Sequence, residues 1–82
     1  MATEKTIKIQ AVAHSYWRSI KRGKRTFESL SEEAKFGYPP MKEQVLYLAK
    51  SDVAEGVITE EEFEYYTGLV YAEVIAEEAA TA

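Results

Sequence analysis

The sequence predicts a single all-α domain of three to four short helices, packed as a small bundle rich in helix–turn–helix junctions, over residues 1–82. Apolar residues recur at steps of three and four along most of the chain, which is the spacing of one face of a helix. Gly and Thr stand where one helix should end and the next begin, most clearly at Gly56 and Thr59. The two ends, residues 1–6 and 76–82, are expected to be loose.

The junction around Gly56 is the strongest local signal in the chain. Gly56 suits the left-handed backbone position just after a helix C-terminus, where a side chain is disfavoured. Thr59 is the expected N-cap of the next helix, with Ile58 before it as an apolar staple, and Glu62 can complete a capping box. The glutamates at 60–62 place negative charge on the positive end of the helix dipole. Gly56, Thr59 and Glu62 are therefore assigned a structural role in the turn.

The first helix is expected to begin near Ile7 or Ile9 and to end near Arg22, with Gly23 as the glycine that follows its C-terminus. Trp17 lies beside its predicted apolar stripe. That stripe consists of Ile9, Val12, Ala13, Tyr16 and Ile20.

Between the first and third helices the pattern is broken. Thr26 is expected to cap a short helix, and Ser31 a further helical turn that reaches Phe36. Pro39 and Pro40 stop this turn because they lack N–H donors.

The third helix is expected from about Pro40 to Glu55, with an apolar stripe wide enough to contact two neighbours. The fourth begins after Thr59. Gly68 is unfavourable inside a helix, so it either interrupts this helix or ends it, which would make residues 69–78 a separate helical segment.

Length and composition limit the possible classes of protein. Eighty-two residues are enough for one domain with a thin core, and the 46% hydrophobic fraction argues for a folded chain. The sequence has no cysteine, which excludes disulfides and thiolate metal sites. It has no apolar run long enough to span a membrane, and residues 1–8 lack the apolar core of a signal peptide. An intracellular protein is therefore expected.

Charge is divided unevenly along the chain. Residues 1–25 hold seven Lys or Arg and one Glu, whereas residues 26–82 hold three Lys and thirteen acids. Such asymmetry can mark an interaction surface, although charged runs more often only solvate helix faces. If the two regions do not neutralise each other within the fold, self-association that weakens as salt is added is expected.

Two stretches carry a resemblance to known proteins. The segments 12–16, 19–23, 26–30 and 43–45 together resemble very short phage and prophage proteins from the tail-gene region of phages of Gram-positive bacteria. The segment 56–63, with Thr67 and Gly68, is similar to the closing motif of the XkdX-like phage proteins. This resemblance implies a small helical protein encoded by a phage, located in the host cytoplasm or the virion, and it implies no catalytic residues.

Few residues suggest chemistry. His14 is the only histidine and has no partner at metal-ligand spacing. The glutamates at 60–64 lack the aspartate-rich loop of a calcium site, so helix-dipole charge explains them better. The sequence has no phosphate-binding glycine loop and no nucleophile elbow. Neither enzyme activity nor a metal or other cofactor is expected.

The best candidate contact residues form a basic stretch beside Tyr16 and Trp17. Five of eight residues there are cationic, namely Arg18, Lys21, Arg22, Lys24 and Arg25. Cations can neutralise phosphates and aromatic rings can stack on bases, but the acidic remainder of the chain would repel nucleic acid.

The surplus tyrosines form a second set of candidate contact residues. Tyr38 and Tyr65 belong to a group too large to bury in so small a domain, which suggests a partner surface. Alternatively, their rings cover the edges of the core and keep their hydroxyls in water.

The leading hypothesis is a non-enzymatic phage protein that acts by protein–protein contact, in virion or tail assembly or by inhibiting a host factor. Its partner would be a second copy or another phage or host protein. The alternative is a small nucleic-acid-binding module that uses the basic first helix. A membrane role is not expected because Trp17 and Ile20 are needed in the core.

Overall fold

The computed structural model describes residues 8–81, and these residues fold into four α-helices. The helices are α1 (Ala11–Lys21), α2 (Met41–Ala54), α3 (Glu60–Thr67) and α4 (Tyr71–Thr81), with a short 3-10 helix at Phe27–Ser29. The all-α prediction is confirmed. Residues 1–6 and Ala82 lie outside the described residues, and the looseness expected for residues 76–82 stays a prediction.

Helix α2 is the centre of the fold. It packs against α1, α3 and the 3-10 helix, while α4 packs against α3. Two neighbouring helices on α2 were expected from its wide apolar stripe, and this is confirmed. The buried apolar residues come from every element except α4, namely Ala13, Trp17, Ile20, Phe27, Leu30, Val45, Ala49, Ile58 and Phe63.

The junction between α2 and α3 has the predicted form. Gly56 has a φ of 76°, and the Val57 N–H donates to the Asp52 carbonyl at 2.8 Å, which closes the end of α2. The Thr59 hydroxyl accepts from the Glu62 N–H at 3.1 Å. The Glu62 carboxylate in turn accepts from the Thr59 N–H at 2.8 Å. The capping box is therefore complete, and the turn role assigned to these residues agrees with the structure.

Gly68 ends α3 rather than interrupting it. Its φ is 73°, and its N–H donates to the Glu64 carbonyl at 2.8 Å. The buried Thr67 hydroxyl donates to the Phe63 carbonyl and accepts from the Leu69 N–H, which pairs two backbone groups at the bend. Tyr71–Thr81 is therefore a separate helix.

The helical turn expected from Ser31 to Phe36 is wrong. The Ser31 hydroxyl accepts from the Glu33 N–H at 3.1 Å, a local bond that does not start a helix. Lys35 and Tyr38 then exchange two backbone hydrogen bonds, at 3.2 and 2.9 Å. The φ values of the two residues between them, 54° at Phe36 and 78° at Gly37, define a type I′ turn. Tyr38 precedes a proline and so favours extended backbone, which suits the arm of this turn.

The buried face of α1 is also rotated from the predicted stripe. Val12 is exposed, whereas Trp17, placed beside the stripe, is only 4% exposed and lies in the core. A polar contact across to α2 fixes this orientation, as described below.

Candidate functional site

The basic stretch does not form one continuous patch. Arg18 and Lys21 line a cleft of about 300 Å³ between α1 and α2, and the acids Asp52 and Glu55 line the same cleft. Arg25 lines a different cleft, beside the type I′ turn. Arg18 and Lys21 therefore face carboxylates, and the fold separates them from Arg25.

Asp52 connects α1 to α2. The Trp17 indole N–H donates to its carboxylate at 2.8 Å. The Lys21 ammonium lies 3.3 Å from the same oxygen and 5.2 Å from the Trp17 ring centroid. The carboxylate thus satisfies a buried donor and matches the Lys21 charge within the molecule. Because Lys21 is paired with Asp52, it should attract an anionic partner less strongly than its place in the basic stretch suggests.

Arg25 also has an internal partner. Its guanidinium carbon lies 4.2 Å from the centroid of the half-buried Tyr16 ring, which is cation–π geometry. Arg22 and Lys24 are exposed at the C-terminal end of α1. Of the five predicted basic contacts, Arg18, Arg22 and Lys24 are exposed and have no ion-pair or ring contact among those described, whereas the exposed Arg25 lies against Tyr16.

Three aromatic rings form a ladder from the core to the surface, which we call the aromatic ladder (Trp17, Tyr66 and Tyr65). The Trp17 and Tyr66 centroids lie 5.7 Å apart, and the Tyr66 and Tyr65 centroids 5.6 Å apart, both edge to face. Tyr65, at the outer end, is 85% exposed. An exposed aromatic ring thus packs against the half-buried Tyr66, which in turn packs against the buried Trp17.

The helix around Tyr65 is acidic. Glu61 lies one turn before Tyr65 on α3, so the two side chains share a face. Glu60 and Glu62 add charge at the same end, although the Glu62 carboxylate is engaged in the capping box. The outer end of the aromatic ladder therefore lies in a negative environment, and its inner end lies beside Lys21.

Tyr38 belongs to a different cluster from Tyr65. Its backbone forms one side of the type I′ turn, and the Lys8 ammonium lies 5.9 Å from its ring centroid. It is half-buried. The structure thus does not bring the two predicted tyrosine contacts into one cluster.

The structural roles of two polar residues, Gln44 and Asp52, were not predicted from the sequence. Gln44 is buried, and its side-chain oxygen accepts from the Gln10 N–H at 2.7 Å while its amide donates to the Pro39 carbonyl at 2.8 Å. Asp52 follows the buried Val45 and Ala49 at helical spacing, so it lies on the apolar side of α2. The sequence signal for both residues is a polar side chain within an apolar helical stripe. This signal does not identify the distant group that the side chain binds.

Among residues 8–81, no group of three or more His, Cys, Asp or Glu side chains is placed to hold a metal ion. His14 is exposed and lines the Asp52 cleft. In the same part of the chain, no helix is both long and apolar enough to cross a membrane.

Comparison of the chain with protein-family models, with curated proteins and with solved structures gives no match.

Proposed function

We propose that the protein is a non-enzymatic binding module that acts by protein–protein contact, with the aromatic ladder as its contact surface. The observation that carries this proposal is Tyr65, which is 85% exposed and yet packs against Tyr66. Tyrosine offers a large contact area with few rotatable bonds, so burying a ring that is already positioned costs little conformational entropy.

The support beneath Tyr65 is anchored to the core. Tyr66 packs edge to face on Trp17, and the Asp52 carboxylate holds the Trp17 indole. Because both inner rings are fixed by other contacts, Tyr65 is presented in a defined direction. Interface hot spots are enriched in such well-supported aromatic residues.

The charges around the aromatic ladder favour a protein partner over nucleic acid. Glu61 shares the Tyr65 face of α3, and a carboxylate there would repel the phosphates next to any base stacked on the ring. A protein partner can place a basic or polar side chain against Glu61 and an apolar group against Tyr65. The resemblance to short phage proteins supports a role in virion or tail assembly, or in inhibition of a host factor, with the protein in the host cytoplasm or the virion.

Nucleic-acid binding is the second candidate, and the exposure of Arg18, Arg22 and Lys24 favours it. The engagement of Lys21 by Asp52 and of Arg25 by Tyr16 weighs against it. If phosphates are bound, affinity should fall steeply with salt and be lost when Arg18, Arg22 and Arg25 are replaced by Ala. Fluorescence anisotropy with single- and double-stranded DNA and RNA at low salt measures this. No binding at micromolar protein would remove the second candidate.

Site-specific photo-crosslinking tests the proposal. A benzoyl-phenylalanine at position 65 is compared with the same group at position 72, because Ala72 is exposed on α4 and outside the aromatic ladder. Irradiation of cells that produce the protein should give a discrete adduct with one second polypeptide from position 65, and that adduct should be absent from position 72. Equal adducts from both positions, or none from position 65, would contradict the proposal.

A further inference from the structure

Phe36 is the most exposed large apolar residue among residues 8–81, with 90% of its surface accessible. It occupies the first central position of the type I′ turn at a φ of 54°. That position favours Asn, Asp or Gly, and a positive φ is a genuine outlier for a bulky side chain. Asn would form the turn more readily, so the requirements of the turn do not explain the phenylalanine. An unfavourable backbone conformation that projects an apolar ring into solvent suggests a contact function.

An open apolar groove of about 810 Å³ runs between α2 and α4. Leu46 and Tyr47 of α2 and Tyr71 and Ile75 of α4 line it, and Tyr47 and Ile75 are each 38% exposed. The groove is therefore a second apolar surface, and residues 8–81 leave it open. Its volume is large enough to hold an aromatic side chain.

The turn that carries Phe36 adjoins the groove, although Phe36 itself lines the other cleft beside the turn. Gly37, the residue after Phe36 in the turn, lines the edge of the groove. When a protruding group and its complementary recess share an edge, a two-fold axis near that edge can place each protrusion in the recess of the other copy. The contact then closes on itself as a dimer, with the same interaction made twice.

We propose that this protein forms a two-fold dimer in which Phe36 of each copy inserts into the α2–α4 groove of the other. The dimer uses surfaces other than the aromatic ladder and does not depend on the function proposed above. Its occupant is a second copy because both complementary surfaces, side by side, belong to the same chain.

The charges near both surfaces are largely matched, which favours the contact. Lys50 and Glu78 form an ion pair within the groove, and Lys35 lies 3.7 Å from Glu33 beside the turn. Lys8 and Glu43 also line the groove, so it holds two basic and two acidic residues, and a contact with Phe36 buries no net charge. The net charge of −4 repels a second copy weakly, and added salt screens that repulsion. An apolar contact of this kind should persist at 0.5 M salt, unlike self-association driven by segregated charge.

The molecule has enough surface for such a contact. Its accessible surface is 6030 Å², and a stable dimer buries roughly 800 Å² per partner. A contact of that size would take about an eighth of the surface.

Sedimentation velocity from 5 to 500 µM protein, at 0.1 and 0.5 M NaCl, tests the dimer. The wild-type chain should sediment as a dimer at the higher concentrations at both salt levels. Phe36→Asn should weaken the dimer at least tenfold. Because Asn suits the left-handed position, this variant keeps or improves the turn, and an unchanged or higher thermal midpoint shows that it folds. Tyr65→Ala is the matched control, since it removes an equally exposed aromatic ring from the other surface, and its dimer should be unchanged.

A mixing experiment tests the reciprocal geometry. Ile75→Glu places a charge in the groove but leaves Phe36 intact, so this variant should also be monomeric. Phe36→Asn retains an intact groove. An equimolar mixture of the two should form a one-to-one heterodimer with one restored contact, at a concentration where each variant alone is monomeric.

Several results would overturn the proposal. They are a wild-type monomer at every concentration, a dimer that survives Phe36→Asn, a mixture that stays monomeric, assemblies that grow beyond two copies, and a dimer that dissociates at 0.5 M NaCl. None of them bears on photo-crosslinking at position 65, so failure of the dimer and failure of the proposed function are separable.

Discussion

Replacing Asp52 with alanine should destabilise the protein by about 2–3 kcal/mol, because this carboxylate satisfies a buried donor on another helix. The substitution leaves the Trp17 indole N–H, 2.8 Å from the carboxylate in the wild type, without its acceptor. Trp17 is only 4% exposed, so water cannot readily replace the lost bond. Hydrogen bonds to charged groups contribute roughly 1.5–3 kcal/mol.

The Lys21 ion pair should contribute much less to that total. Its ammonium lies 3.3 Å from the carboxylate, but side chains near the surface are screened, and such pairs are worth about 0–1 kcal/mol. Lys21→Met should therefore cost less than 1 kcal/mol. Asp52→Asn is the matched control because its amide oxygen can still accept from the indole, and its cost should fall between those of the other two variants.

Urea unfolding, followed by tryptophan fluorescence and by circular dichroism, measures all three variants. Trp17 is the only tryptophan, so fluorescence reports directly on the contact. A loss below 0.5 kcal/mol for Asp52→Ala would refute the reasoning, as would an equal loss for Lys21→Met.

Three further predictions test the turn, the buried amide and the groove lysine. Thr59→Ala should cost about 1 kcal/mol through the lost cap, and Gly56→Val roughly 1–3 kcal/mol because of its positive φ; an unchanged thermal midpoint for Gly56→Val would refute the role of the glycine. Gln44→Leu should cost roughly 2–5 kcal/mol in urea unfolding because it leaves two backbone groups unpaired, whereas a loss below 1 kcal/mol would mean that water replaces the amide. Burial lowers the pKa of Lys50, an effect partly opposed by Glu43, so the folded state disfavours its charged form. Lys50→Met also removes the ion pair with Glu78, so the prediction concerns the pH dependence. The free energy of unfolding of the wild type should rise relative to that of Lys50→Met as the pH rises through the lowered pKa towards 10.5, whereas a pH-independent difference would contradict this.

The α2–α3 junction was predictable because its chemistry is local. A glycine after a helix and a Thr and Glu three residues apart satisfy backbone groups within a few residues of themselves. The conformations of Gly56, Thr59 and Glu62 can therefore be predicted from these residues alone, without the rest of the fold.

The contacts of Gln44 and Asp52 were not predictable in the same way. Gln44 bonds across to residue 10, and Asp52 binds a tryptophan 35 positions earlier in the chain. A stripe pattern places such residues on a face but does not identify the partner across the interface. Trp17 was expected in the core, but its hydrogen bond to Asp52 was not, and Val12 was wrongly included in the buried stripe.

The grouping of charged and aromatic residues on the surface depends even more strongly on the tertiary structure. The basic stretch is contiguous in sequence, yet α2 supplies a carboxylate to Lys21, which shares a cleft with Arg18, but none to Arg25. The exposed position of Phe36 follows from a type I′ turn with phenylalanine where Asn or Gly is usual, so turn preferences did not indicate it. Tyr65 was correctly included among the candidates for exposure because six tyrosines exceed what a thin core can bury.

The composition of the photo-adduct at position 65 tests the central claim most directly. The adduct is purified under denaturing conditions and divided, one half being treated with nuclease and the other with trypsin before mass spectrometry. The proposed function predicts that the increase in mass survives nuclease, and that trypsin releases a peptide containing position 65 joined to a peptide from a second protein. Loss of the added mass on nuclease treatment would assign the surface to nucleic acid and contradict the account.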